Sequence, residues 1–495
     1  MLSKMISTSN RSLIAFISAL VLAVIHQYLF FGHLPGVSYP IFVILLYVYM
    51  FLGAQDQMRK RSWFGYLLFG VIIMLSMTYV LFSNSFFHVL NFVAIPPLIF
   101  IHITFMFSSR KRPWYKFRLI VDALDHLIPQ SFRHFPTVFN VVRTSSISKM
   151  GDQRKVVLGK VMIGLAIALP LLIVVISLLS SADGAFGEML FSAPDWMNNL
   201  ALDEILIRGI WTGLFCFAFF GYLWGFIDSK IYVQVSEKPE VDRVGWKLDP
   251  IILVTVLIAI NTVYVMFVVL QFSYLFGAWL GALPEGSSYA EYARSGFFEL
   301  LAVTIINFVI MLGTLVYSGK EHSLLQKINN MMLYILVGCS GVMLYSAYTR
   351  LVLYEEVYGY TTIRFLVHAF MIFLALLLVI AGLRIHFHNI PLAKVYIVIS
   401  LIAYVVVNYV GMDTIITEKN IERYHVSGAI DVDYLGSLSA DAIPLLLELN
   451  KEKSGLIQEH LYERWLELSQ QDRQWQSFNL SSYRAEKALE QLFRN

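Results

Sequence analysis

The chain has 495 residues, of which 58% are hydrophobic and 14% charged, with 37 Lys and Arg against 34 Asp and Glu for a net charge of +3. Average globular chains carry roughly 25% charged residues, so this composition cannot clothe a water-facing surface of such size, and a soluble globular protein is excluded. The small charge excess also argues against nucleic acid as a partner, because the basic residues stand beside hydrophobic runs, where lipid headgroups account for them.

A membrane-crossing helix needs roughly 20 mainly apolar residues. Eleven runs qualify: 12–31, 37–54, 63–82, 86–107, 156–180, 207–227, 251–275, 297–318, 331–352, 363–383 and 393–411. Lys4 and Arg11 precede the first run, which is too long for a signal-peptide core and is followed by His33-Leu34-Pro35, so it reads as an uncleaved span. Cys216 and Cys339 both lie inside apolar runs and imply no disulfide framework. Pro96-Pro97 in the fourth run and Pro170 in the fifth are expected to kink their helices, since proline removes a donor and crowds the preceding turn. No charge falls between Pro250 and Pro284. The seventh run is therefore expected to be a span plus an outer hairpin or re-entrant piece, not one very long helix.

Lys and Arg in the connections set orientation. Counted alternately, one side receives Lys4 and Arg11, Arg59 to Arg61, ten residues from Arg110 to Lys155, four from Lys230 to Lys247, Lys320 with Lys327, and Arg384 with Lys394. The other side receives only Arg208, Arg294, Arg350 and Arg364. The N-terminus is thus expected in the cytoplasm and the C-terminal tail outside. The large basic connection 108–155 opens with Arg110-Lys111-Arg112-Pro113-Trp114-Tyr115-Lys116. It continues with a segment placing Leu119, Ile120, Leu124, Leu127 and Ile128 on roughly one helical face. A short helix on the inner leaflet fits, either as an ordinary surface helix or as a docking or lipid-sensing element.

After Met412 the composition changes: the tail holds fourteen acidic and nine basic residues, with hydrophobics at helical spacing. Leu456, His460, Trp465 and Leu468 among charges mark an amphipathic helix. Asp431 or Asp433 can cap one helical piece, Ser439 or Asp441 the next, and Pro444 suits a first turn. Residues 412–495 are expected to form a small extracytoplasmic helical domain resting on loops near 276–296 and 353–362. Leu435, Leu438, Ile443, Leu446, Leu449, Leu456, Leu461, Trp465, Leu468, Trp475, Phe478, Leu480, Leu489, Leu492 and Phe493 are expected in its core.

The stretch from Tyr289 to Ser318 concentrates the chemistry. Glu291, Arg294 and Glu299 lead into the eighth run, and Glu299 sits about one turn inside it, where a carboxylate needs a partner or a purpose. Arg350 and Arg364 should reach the same depth, so a Glu299–arginine pair is expected, either an ion-coupled site or a helix clamp. Asn261, Gln271, Asn307, Asn408 and His368 lie deeper, as interhelical hydrogen bonds or as a polar path. The acidic loop 181–204 matches no calcium-loop spacing. Asp431-Val432-Asp433 is a weak likeness to a metal-holding D-x-D pair, and His386-Phe387-His388 alone does not make a metal site. No P-loop, G-x-S-x-G, H-E-x-x-H or C-x-x-C occurs. No catalytic, metal or cofactor-binding residue is assigned, and no cofactor is expected.

The second half carries Ser181-Ala182-Asp183, then the block Tyr289-Ala290-Glu291-Tyr292-Ala293-Arg294 with Gly296-Phe297-Phe298-Glu299-Leu300. Further on come Tyr358-Gly359 with Thr361 and Arg364, Asn420 with Arg423-Tyr424, Asp433-Tyr434-Leu435 with Leu438-Ser439 and Asp441-Ala442, and Asn479-Leu480-Ser481 with Arg484-Ala485. Over roughly 155–495 this resembles a bacterial multi-pass membrane family, domain of unknown function 4173. The resemblance implies a bacterial plasma-membrane protein and no particular activity.

The expectation is an all-α polytopic bundle of about eleven membrane helices with a small helical tail domain. Its partners are the lipid bilayer and a membrane or envelope protein, not nucleic acid, and its oligomeric state is open. Its role is non-enzymatic, in transport, envelope sensing or complex assembly; the alternative is a membrane-embedded enzyme acting on a lipid-linked sugar or phospholipid at the outer face.

Overall fold

The structure, a computed structural model, describes residues 2–58, 62–109, 111–135, 137–138, 202–228, 249–279, 297–317, 324–453, 455–470 and 474–494. Every regular element among them is helical. Eight helices are long and apolar enough to cross a membrane. Ser38–Gly53 and Glu299–Leu315 are shorter apolar helices, and the expected spans 156–180 and Pro170 lie outside the described residues. The count of eleven is therefore not reached among the described residues, although each described run folds as a helix where its apolar length requires one.

The described residues divide into two compact units. The first comprises residues 1–80, 90–235 and 472–479. It holds α1 (Leu2–Phe30), α2 (Ser38–Gly53), α3 (Trp63–Leu81) and α4 (Ser85–Phe107), except that residues 81–89 cluster with the second unit. Pro96 and Pro97 lie within α4, which continues as one helix on both sides of them. Next come α5 (Arg118–Asp125), a π-helical turn His126–Gln130, and α6 (Leu202–Ile227). Polar side chains in the apolar interior find partners locally. The Tyr47 hydroxyl lies 2.8 Å from His102 Nδ1, Asn91 donates to the Thr78 hydroxyl at 2.9 Å, and Trp211 donates to His26 at 3.1 Å.

A short stretch near the end of the chain completes this unit. Val37 N–H donates to the Phe478 carbonyl at 3.1 Å, Ser477 to the Leu34 carbonyl at 2.8 Å, and Asn479 to the Tyr79 carbonyl at 2.9 Å. Gly36 allows the approach, because a Cβ there would lie 2.5 Å from the Ser477 carbonyl carbon. Trp475 and Phe478, expected in a tail core, are instead 48% and 38% exposed, and Leu492 is also exposed.

The second unit comprises residues 81–89, 236–471 and 480–495. Its long helices are α7 (Pro250–Trp279), α8 (Phe297–Tyr317), α9 (Leu324–Tyr358), α10 (Thr362–His386) and α11 (Leu392–Tyr409). Helix α7 is continuous from Pro250 to Trp279, and residues 280–296, over which an outer hairpin or re-entrant piece would extend, lie outside the described set. Thr304 and Ser340 donate to carbonyls four residues back in their own helices, at 2.8 and 2.7 Å, so they cross an apolar interior without an external partner.

The tail continues as α12 (Met412–Ser427), α13 (Val432–Gly436), α14 (Ile443–Glu452), α15 (Gln458–Gln470) and α16 (Leu480–Phe493). Asp431 caps α13 by accepting Tyr434 N–H at 3.0 Å, Ser439 caps the turn Ala440–Ala442, and Pro444 stands in the first turn of α14. Leu435, Ile443, Leu446, Ile457, Leu461 and Leu489 form a core that also takes in Phe87, Met412 and Ile416, with Tyr360, Phe365 and Val407 packed against it. That core draws on residues of the membrane-length helices because a segment of this size buries too little surface alone.

Gly36→Ala is expected to destabilise the seam at residues 474–479 by about 1–3 kcal/mol, since backbone cannot move aside as a side-chain tip can. Gly70→Ala, where a Cβ meets nothing within 4 Å, should be neutral. Limited proteolysis of the purified chain, comparing cleavage near 474–479 in the two variants, checks the difference.

Candidate functional site

At roughly 1.5 Å per residue α9 is about 52 Å long, more than the ~30 Å hydrocarbon core. Its last turns and the first of α10 frame a tight connection. Gly359 ends α9 at φ +81°, a left-handed conformation that glycine adopts without a Cβ penalty, and its N–H donates to the Glu355 carbonyl at 2.8 Å. A Cβ there would also meet Asn420 Oδ1 at 2.7 Å.

Helix α12 closes on this turn. Asn420 accepts Tyr360 N–H at 3.0 Å and donates to the Tyr360 carbonyl at 2.9 Å and to the Ile416 carbonyl at 2.8 Å. Arg423 donates to the Val357 carbonyl at 3.0 Å, and the Tyr434 hydroxyl accepts Thr362 N–H at 2.8 Å. Arg364 donates to the Gly359 carbonyl and lies 4.4 Å from the centre of the Tyr354 ring, a cation–π contact. These contacts satisfy backbone groups that a turn otherwise leaves to water.

Beneath the turn lies the least expected feature. Glu355, 1% exposed, meets His368 Nε2 through Oε2 at 2.8 Å, while its Oε1 is buried without a hydrogen bond. The Tyr348 ring stands 4.9 Å from the imidazole. A buried carboxylate satisfied on one oxygen only is costly when ionised and unaccompanied. The pair has two low-cost arrangements, imidazolium with carboxylate or neutral imidazole with carboxylic acid, and both hold one proton.

The residues singled out by sequence are placed differently. Glu299 is exposed, and with Arg350 it lines a cavity of about 340 Å³ together with Val263, Tyr264, Phe267 and Met343. None of the ion pairs among the described residues includes Glu299. Arg364 is engaged at the turn, and Glu291 and Arg294 lie outside the described residues. Asn261 donates to the Met332 carbonyl at 2.8 Å beside an apolar cavity of about 760 Å³. Asn307 is 1% exposed, and neither of its side-chain polar atoms is hydrogen-bonded. A third cavity, about 370 Å³, is lined by Tyr28, His33, Arg208, Gln474, Trp475 and Gln476. None of these three cavities is lined by two carboxylates, the arrangement that the lipid-enzyme reading requires. Asp433 of the D-x-D pair is bound by His460 at 3.0 Å while Asp431 caps its helix, so the two have separate structural tasks.

A second acidic cluster fastens the tail at its base. Buried Asp413 accepts Asn84 Nδ2 at 2.8 Å and Ser439 N–H at 3.2 Å, and Asp441 accepts Ser83 N–H at 3.1 Å and the Ser439 hydroxyl at 3.2 Å. Burial pushes the Asp441 carboxyl above its ordinary range, and nearby Asp413 adds to this against the hydrogen bonds from Ser481, Ser83 and Ser439.

Long apolar helices with polar side chains turned inward define a multi-pass helical membrane protein. The chain belongs to the family described as domain of unknown function DUF4153, which matches residues 69–449. That match corrects the number suggested by the resemblance to domain 4173, and it takes in the third and fourth apolar runs as well. No curated protein and no solved structure matches the chain.

Sequence reasoning missed Glu355, and a signal was present: Ala347, Leu351 and Glu355 recur every four residues on one buried stripe of α9. Asn420→Ala should weaken the tail–turn contact by about 1–3 kcal/mol, because the Tyr360 N–H and carbonyl lose their partner. Hydrogen exchange over 355–365 and 412–427 reads this, with exposed Lys419→Ala as the control that should leave exchange unchanged. A second expectation follows from Asp441. With its folded pKa raised, its contribution to stability is full below the ordinary carboxylate range and is lost as pH rises through the raised value. Thermal unfolding in detergent should show this fall, and Asp441→Asn should flatten it.

Proposed function

We propose that this is a non-enzymatic bacterial plasma-membrane protein for envelope sensing, in which the proton held between Glu355 and His368 governs how tightly the tail grips the α9–α10 turn. The observation that carries this reading is the burial of Glu355 with one oxygen on His368 and the other without a hydrogen bond, four residues before the turn that Asn420 holds. The Glu355 carbonyl accepts the Gly359 N–H, so a change of charge on the Glu355 side chain falls one helical turn from the peptides that Arg364 and Asn420 hold. Tyr348 stands against the imidazole and Tyr360 is within electrostatic reach of Glu355, with Glu356, Lys419 and Glu422 beside Tyr360 and Arg364 on the Gly359 carbonyl at the turn above. The alternating Lys and Arg count supports a cytoplasmic N-terminus with 412–495 as an extracytoplasmic domain. An envelope or membrane protein contacting that tail would receive the signal.

Transport is the second reading, and the observation favouring it is Asn307, buried with both polar atoms unbonded on the α8 face that also buries Thr304 and Met311. The experiment is hydrogen exchange of residues 412–427 in reconstituted membranes as pH is varied over roughly 5–8. Exchange in the wild-type chain should change with pH, and Glu355→Gln and His368→Gln should each remove most of that change. Unaltered pH dependence in both variants would count against sensing. A proton flux abolished by Asn307→Leu would favour transport.

A further inference from the structure

The segment from α5 to Arg133 turns an apolar stripe away from the protein and buries a mixed face. Leu119 and Ala123 are buried beside Asp122, which accepts from Arg112 at 3.3 Å, and in the π-helical turn His126 stacks on Phe226 with ring centres 4.3 Å apart and Gln130 is 5% exposed. The fit rests on two glycines one turn apart in α6. A Cβ at Gly221 would meet the Ser131 carbonyl oxygen at 2.5 Å, and one at Gly225 would meet Gln130 Cβ at 3.3 Å. Small residues at this spacing let a backbone approach a membrane-length helix closely.

The apolar side faces away from the protein. Phe117 is 75% exposed, Leu124 53%, Ile128 52% and Phe132 61%, with Ile120 and Val121 exposed between them. Water would make this arrangement unfavourable at roughly 25 cal/mol per Å² of apolar surface. Its depth explains why it is stable. Gly221 and Gly225 lie six and two residues before the end of α6, a membrane-length helix, which places the contact within about 9 Å of that helix's end at 1.5 Å per residue. Interfacial helices bury their apolar faces roughly 5–10 Å into the headgroup–acyl boundary. Lys111, Lys116, Arg118 and Arg133 are exposed around the apolar stripe.

We infer that the segment from Lys111 to Arg133 is a recognition surface for anionic phospholipid, with the apolar stripe among acyl chains and the four cations on lipid phosphates. A polybasic segment gains roughly 1 kcal/mol per cation at an anionic surface, whereas a zwitterionic leaflet supplies the apolar contact without that term. The element therefore selects lipid charge, which an ordinary membrane span does not.

The test uses the full chain in nanodiscs. A nitroxide attached to the Ile128→Cys variant should be relaxed by oxygen and protected from a water-soluble nickel reagent; Cys216 and Cys339 are buried, which disfavours their labelling. Ready access of the nickel reagent would overturn the lipid assignment and favour a protein partner. In the second arm, native mass spectrometry counts phosphatidylglycerol and phosphatidylcholine retained by the detergent-extracted protein. Phosphatidylglycerol should be preferred, and the triple variant Lys116→Gln, Arg118→Gln, Arg133→Gln should lower that preference at least about tenfold. The charge-keeping triple variant Lys116→Arg, Arg118→Lys, Arg133→Lys should retain it, which separates charge recognition from misfolding. Equal retention of both lipids by the wild-type chain, or competition by free inorganic phosphate, would overturn the inference.

Discussion

The bilayer offers no water to polar groups, so each polar side chain on a membrane-length helix must find a partner within the protein or stay close to the lipid headgroups. Most features of this chain answer to that constraint. Thr304 and Ser340 bond back to their own helices, Asn261 reaches the Met332 carbonyl, and Tyr47 meets His102. Where a partner is incomplete, as at Glu355 and Asn307, the departure marks a place where the chain bears a cost that packing alone does not explain.

The turn after α9 shows how such a cost is held in place. Gly359 takes a conformation open to glycine, and Asn420 then accepts and donates across the same peptide, so the turn and α12 specify each other. Tyr434 and Arg423 add a bond on either side. The buried acid is thus one turn from a backbone segment whose geometry depends on a residue sixty positions later in the chain.

Elements governed by local rules were legible in advance. Apolar length marked the described membrane helices, and Asp431, Ser439 and Pro444 marked where tail helices begin, because capping depends on neighbours within three residues. Tyr358-Gly359, Arg364, Asn420, Arg423 and Tyr434 stood out as motif residues, yet nothing in their spacing tells that they close on one another. Glu355 was passed over because a Glu-Glu pair at the end of an apolar run reads as headgroup-level charge, and its burial comes from long-range packing. Helix α5 had the right period, but periodicity does not tell which face is inside. That depends on the neighbours: of the expected apolar face Leu119 is buried, whereas Ile120, Leu124 and Ile128 face away from the protein.

The seam between residues 34–37 and 477–478 has a consequence for the birth of the protein. The loop after α1 leaves the ribosome long before its hydrogen-bonding partners, since Leu34 and Ser477 stand 443 positions apart. The Val37 N–H and Leu34 carbonyl must therefore wait through the insertion of every later helix before they are paired. A ribosome that stops short of Ser477 therefore leaves this loop unpaired, however well the helices before it have inserted.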